Sequence, residues 1–307
     1  MKLMSNVIYP GLKVCFIGSL ATLLTACFMP KEIKENEAIA LQVENTPGLI
    51  EHHVLYMKGP NGEFKLHYVS SDTSTKPRDT VVFVHGTPGD WSSFARYFLE
   101  DTFKKDFRVI SIDRPGWGKS TFAGPFPTKL QTQSDMLGPV LKNIWERNGK
   151  QKIILAGHSL GASLVPLLAA NYTDYVRGVV ILAGDIKPSL AEARWYNTIL
   201  DWTPSFLIPD MWNHSNLEVL DLTKSLEEAQ PKFASLTMPI TIVQGTDDTL
   251  VNPKSIDYAK TLFTKSDLKV VWIQGASHII DLQHPNEVIE AVRDINTRSS
   301  QDKNSTQ

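Results

Sequence analysis

The chain has 307 residues, long for one domain but within the range that single α/β units reach. Its 31 basic and 33 acidic side chains are balanced and unclustered, which argues against nucleic acid as a partner and against a solvating acidic tail. A hydrophobic fraction of 42% supports a large core, while just two cysteines, Cys15 and Cys27, leave no basis for a disulfide framework.

Both cysteines fall at the start. Lys2 and Lys13 flank an otherwise uncharged segment, and an apolar run from Val14 to Leu24 follows. That run is roughly 11 residues, short of the 18 or so that span a bilayer, and matches the central stretch of a secretory signal. It ends in Leu24-Thr25-Ala26-Cys27, which resembles the lipobox of bacterial lipoproteins. The resemblance implies removal of residues 1–26, lipidation of Cys27, and a domain held on a membrane of the bacterial cell envelope, outside the cytoplasm. An ordinary signal peptide and an uncleaved anchor are the alternatives. Residues 27–48 are polar and charged, without strand periodicity, and read as a tether.

From residue 49 strands and helices alternate. Leu49 to Lys58 and Glu63 to Ser70 are strand-like runs joined through Gly59-Pro60-Asn61-Gly62, the pattern of an antiparallel hairpin. Thr80 to His85 is a short valine-rich run, as in a strand buried on both faces. A helix from Trp91 to about Phe103, a strand from Phe107 to Asp113 and a helix from about Lys129 to Arg147 follow. Then come a strand from Lys152 to Gly157, a helix from Leu160 to about Asn171 and a strand from Val176 to Ala183. Strands Pro239 to Gly245 and Leu268 to Gly275, with helices near Pro253 to Phe263 and Pro285 to Asn296, complete eight strands. The alternation predicts an α/β domain over 49–296, built on a mostly parallel sheet with helices on both faces. Residues 184–238 lack a strand signal but hold large apolar residues, among them Trp195, Trp202, Phe206 and Trp212, and read as a small helical cap. The polar stretch 297–307 reads as a disordered tail.

Gly157-His158-Ser159-Leu160-Gly161 is a G-x-S-x-G pattern. Chance alone supplies one in roughly a tenth of chains this long. Its setting between an apolar strand and an Ala/Leu-rich helix is more specific, because the motif needs a strand–turn–helix tight enough to expose the serine hydroxyl. With this segment the chain resembles the α/β-hydrolase family over residues 49–296, in strand order and in the elbow after the fifth strand.

The resemblance extends to other loops. His85-Gly86-Thr87-Pro88-Gly89 sits where the family carries an H-G-x-P type loop, which implies Thr87 and Leu160 as the backbone donors of an oxyanion hole. Asp113-Arg114-Pro115-Gly116-Trp117-Gly118-Lys119-Ser120 also looks like a family segment and reads as a structural turn bordering the site. Gly245-Thr246-Asp247-Asp248 resembles the acid loop, where spacing favours Asp248 over Asp247; Asp185, after the sixth strand, is a further candidate. Gly275-Ala276-Ser277-His278 matches the histidine loop, with His284 the nearest rival to His278. His158 is expected to point away from the site, and His52, His53 and His67 lie on the first hairpin, far from it in chain order.

The expectation is therefore a serine hydrolase that cleaves an ester of an apolar or aromatic small molecule, with Ser159 as nucleophile, His278 as base and Asp248 as orienting acid. The same triad serves amide and aminopeptidase, thioester, carbon–carbon and perhydrolysis chemistry in the family. A catalytically silent, lipid-anchored binding protein is the non-enzymatic alternative. No motif for a metal, nucleotide or dinucleotide occurs, so no cofactor is expected.

Overall fold

A computed structural model describes residues 30–304. The first 29 residues, including the apolar run and Cys27, lie outside the described residues, as do 305–307. In chain order the elements are α1 (Lys31–Asn45), β1 (Glu51–Gly59), β2 (Gly62–Ser70), β3 (Thr80–Val84), a 3₁₀ helix (Trp91–Phe98), α2 (Asp101–Asp106), β4 (Arg108–Ile112) and α3 (Leu130–Arg147). They continue with β5 (Ile153–His158), α4 (Leu160–Asn171), β6 (Val176–Leu182), α5 (Trp195–Trp202), α6 (Asp210–Phe233), β7 (Ile240–Gly245), α7 (Ser255–Leu262), β8 (Leu268–Ile273), α8 (Ile280–Gln283) and α9 (Pro285–Asn304).

The eight strands form one sheet in the order β1-β2-β4-β3-β5-β6-β7-β8. β1–β2 and β2–β4 pair antiparallel and the other pairs are parallel. Gly59 pairs with Gly62, so Pro60 and Asn61 form the two-residue reversal of the first hairpin. Central strands are buried along their length, and alternate residues feed two apolar layers. Val82, Val84 and Leu155 pack with α3, α4 and α6, whereas Val81, Phe83 and Ile154 pack with the 3₁₀ helix and α9. From β3 the chain steps out to β4 and returns on the other side to β5. This reversal opens a crevice at the carboxyl ends of β3 and β5, where ligands bind in open α/β sheets.

Three expectations need correction. Residues 31–45 are not an extended tether: they form α1, which buries Val43 against the domain and donates from Asn36 Nδ2 to Ser92 O at 2.9 Å. Residues 297–304 are not disordered, since α9 runs through to Asn304 and Arg298 pairs with Asp267 and Asp294. The segment after Trp91 is a 3₁₀ helix kinked at Phe94, followed by the separate helix α2. The cap is helical as expected, with α5 and α6 its main elements.

Candidate active site

Ser159 stands between β5 and α4 with φ 55° and ψ −122°, a backbone conformation that is costly for a residue with a side chain. Its neighbours show why glycine flanks it. A Cβ on Gly161 would lie 2.2 Å from Val84 O, and one on Gly157 would lie 2.3 Å from Gly161 O. The turn therefore packs against β3 and against itself without room for another carbon. It leaves Ser159 half-buried at the N-terminal end of α4, where the first N–H groups of the helix have no intrahelical acceptor.

The structure joins Ser159 to two distant loops. Ser159 Oγ lies 3.0 Å from His278 Nε2, in the loop after β8. His278 Nδ1 lies 2.9 Å from Asp248 Oδ2, in the loop after β7. With the Nδ1–H tautomer, the imidazole donates to Asp248 and accepts from the serine hydroxyl. Asp248 is buried and anchored by backbone N–H donors from Leu250 (2.8 Å) and Val251 (2.9 Å), and by Gln244 Nε2 (3.0 Å). Burial works to raise its pKa, but the hydrogen bond and charge of His278, with the two backbone donors, hold it below the ordinary carboxylate value.

The rival residues are elsewhere. Asp247 is exposed and accepts from Thr246 Oγ1. His284 faces Glu287 at 3.5 Å. Asp185 lies near enough to His278 and Asp248 to feel their charges, yet its Oδ1 is buried without a partner and desolvation pushes its pKa up to about 7. It does not hydrogen-bond to the histidine ring.

Thr87 and Leu160 flank the serine from two directions. Gly86 approaches so closely that a Cβ there would sit 2.9 Å from Ser159 Cβ, which brings the loop carrying Thr87 up to Ser159. Leu160 opens α4, and neither its N–H nor that of Thr87 donates to a backbone carbonyl outside the regular elements. Thr87 Oγ1 is also buried and unpartnered.

Two supporting groups escaped the sequence reading. His158 points toward the site, contrary to expectation: its Nε2 lies 2.9 Å from His278 O, its ring centroid 4.9 Å from that of His278. Arg114, read as part of a plain turn, is fully buried and donates to His85 O (3.0 Å), Gly86 O (2.8 Å), Gln133 and the cap carboxylate Glu218. It thus ties the loop bearing Thr87 to the cap. His67 is also buried and bonded to Asp113 at 2.7 Å, a structural pairing under the same loop. Among the described residues no group of three His, Cys, Asp or Glu side chains converges as a metal site requires.

The sheet order, the elbow and its flanking loops define the α/β-hydrolase fold, and residues 79–210 match a family model described as alpha/beta hydrolase fold. Among solved structures, the chain is similar to a thermophilic esterase from Thermogutta terrifontis, with a TM-score of 0.61 and 17% identity, covering 81% of this chain and 99% of that one. In sequence it is 31% identical over 144 residues to a 2-hydroxy-6-oxononadienedioate/2-hydroxy-6-oxononatrienedioate hydrolase of Paraburkholderia phymatum, covering 46% of this chain and 47% of the relative. It is 27% identical over 146 residues to a protein of Arabidopsis thaliana named "Probable lysophospholipase BODYGUARD 4", covering 45% and 34%. The match thus spans between a third and a half of these relatives' lengths.

Proposed function

We propose that the chain is a serine hydrolase cleaving a carboxylic ester of an apolar or aromatic small molecule through an acyl-enzyme. The observation that carries this reading is the unbroken sequence Ser159 Oγ–His278 Nε2–His278 Nδ1–Asp248 Oδ2, at 3.0 and 2.9 Å, mounted on a strained elbow. His278 takes the proton as Ser159 attacks the carbonyl, and anionic Asp248 stabilises the imidazolium that forms. The tetrahedral oxyanion is held by the N–H groups of Thr87 and Leu160, each worth about 3 kcal/mol in such a site. Collapse expels the alcohol, protonated by His278. Water then attacks the acyl-enzyme with the same histidine as base, regenerating Ser159.

A fluorophosphonate probe tests the nucleophile: wild type is labelled and Ser159→Ala is not. Equal labelling of the two puts the reactive nucleophile at another residue, and no labelling of either folded protein leaves a binding role; both outcomes reject the assignment. A panel of ester, thioester and aminoacyl substrates tests the bond; preference for a thioester or amide over the ester rejects the ester reading. A relative named as a lysophospholipase supports the ester side of that choice.

The N-terminal sequence supports a further reading, that Cys27 is lipidated after removal of residues 1–26 and holds the domain on a bacterial envelope membrane. Cys27→Ser is expected to move the protein from the membrane to the soluble fraction with kcat unchanged. Retention in the membrane points instead to an uncleaved anchor or to a second membrane contact on the folded domain.

A further inference from the structure

α6 packs the cap onto the domain through Leu222, Leu226 and Phe233, but the large apolar residues of α5 and of the segment after it stay exposed. Trp195 is 75% exposed, Ile199 52%, Trp202 80% and Phe206 85%, with Leu207 and Trp212 exposed beside them. Trp195, Ile199 and Trp202 occupy positions i, i+4 and i+7 of α5 and so share one face of that helix. Its inward side carries buried Asn197, with Leu200 half-buried one turn on. Asn197 is buried, donates from Nδ2 to Asn216 Oδ1 at 2.8 Å, and accepts through its own carbonyl from Asn216 Nδ2 at 3.0 Å. The helix is therefore amphipathic in the reverse sense, seated by paired amides and apolar toward the outside.

We infer that this cap face docks on a lipid surface, with its indole and phenyl rings in the boundary between headgroups and acyl chains. Three further observations select a bilayer as occupant. First, tryptophan dominates the face, and its apolar ring with one N–H donor suits that boundary. Second, the chain outside the described residues is itself apolar from Val14 to Leu24, and it enters the domain at the same end as the cap. Glu32, at the start of α1, accepts from Gln283 Nε2 at 3.2 Å; Gln283 in turn accepts from Ser277, the neighbour of His278, at the carboxyl ends of the strands. The cap covers that end too, as the Glu218–Arg114 pair shows. Third, Arg194 reaches the carbonyl of Thr249, bringing α5 beside Leu250, which is also exposed and whose N–H holds Asp248. The apolar face thus borders the Ser159 site. Among the described residues no helix is long and apolar enough to cross a membrane, so the contact lies in the interface plane.

The inference stands apart from the hydrolase reading, since docking is read without turnover. The seven tryptophans include three on this face, Trp195, Trp202 and Trp212, while residues 1–29 contain none. Tryptophan quenching by lipid therefore reports the cap and not the N-terminal segment. The full chain is bound to phosphatidylethanolamine–phosphatidylglycerol vesicles carrying brominated acyl chains. Expected is a loss of roughly two-fifths of the emission, the share of tryptophans on the face, with an accompanying blue shift. The triple variant Trp195→Phe, Trp202→Phe, Trp212→Phe keeps the apolar face and is expected to bind while showing little quenching, which assigns the signal. Trp202→Ser with Phe206→Ser, checked for folding by its melting curve, is expected to lower quenching without unfolding. Vesicle-bound wild type with unquenched emission shows attachment through the N-terminus alone and overturns the inference. So does a concentration-dependent dimer abolished by Phe206→Ser without any quenching by lipid, which would make a second copy the occupant.

Discussion

At Ser159 the elbow holds its geometry through the atoms that glycine lacks. Gly161→Ala places a carbon 2.2 Å from Val84 O and 2.4 Å from His85 O, both backbone atoms that cannot swing aside. The expected outcome is destabilisation of about 1–3 kcal/mol or more in urea titration, with kcat reduced because the serine moves with the turn. The acid is tested at the same scale. Asp248→Asn removes the charge that stabilises the imidazolium and favours the wrong tautomer, so kcat should fall by about 10⁴ while folding survives. Asp185→Asn should leave kcat within a few-fold of wild type; if Asp185→Asn proves the damaging change, the acid is misassigned. Ser159 and His278 were legible as candidates because each sits in a short motif after a strand, and the structure brings the two within 3.0 Å. Asp248 and Asp247 are adjacent in sequence, and the choice rests on where the Leu250 and Val251 N–H groups point. His158 was not legible: its partner is a backbone carbonyl 120 residues away, and a carbonyl leaves no mark on composition.

Elements were readable where a local apolar run governs them, as in β3 and β5, and unreadable where the packing partner is remote. α1 has a weak apolar stripe and few local signals, yet it docks through Val43, Asn36 and Glu32 on the 3₁₀ helix and α8. Polarity suggested a tether because the surface that receives α1 assembles from residues 50 or more positions downstream. α6 poses the same difficulty, since Glu218 looks like an ordinary surface carboxylate until Arg114 is found opposite. Both are fully buried, and breaking such a pair strands a charge in the interior. Glu218→Ala is expected to cost about 3–5 kcal/mol in equilibrium unfolding. The double variant Arg114→Met, Glu218→Leu should regain much of that stability, since apolar replacements often equal a buried pair. It should not regain kcat, because His85 O and Gly86 O lose the guanidinium that fixes the loop carrying Thr87. Full recovery of kcat in the double variant would show that Arg114 serves the fold alone.

For the whole molecule, buried ionisable groups set how stability follows pH. Desolvation lowers His158 below its ordinary 6.5 and His85 well below it, with the Arg114 charge adding to the effect on His85. Both bind a proton less readily in the fold than in the unfolded chain, so their contribution is full above about 6.5 and is lost as pH falls. Asp185 acts in the opposite sense. Its folded pKa of about 7 exceeds its ordinary 3.8, so between these values the fold binds a proton that the unfolded chain has released. Its contribution is therefore lost as pH rises toward 7. Below 6.5 the histidines make stability rise with pH, and Asp185 opposes them. Stability then rises with pH toward neutrality, less steeply than the histidines alone would make it. His52 and His53, less buried and also lowered by desolvation, steepen the same limb. Asp185→Asn removes the opposing group, so the acid limb should steepen by up to one proton, about 1.4 kcal/mol per pH unit. Urea titrations across pH 5 to 8 measure both slopes. An acid limb unchanged by Asp185→Asn would mean that the aspartate beside His278 is already ionised in the fold, and that the site carries two negative charges rather than one.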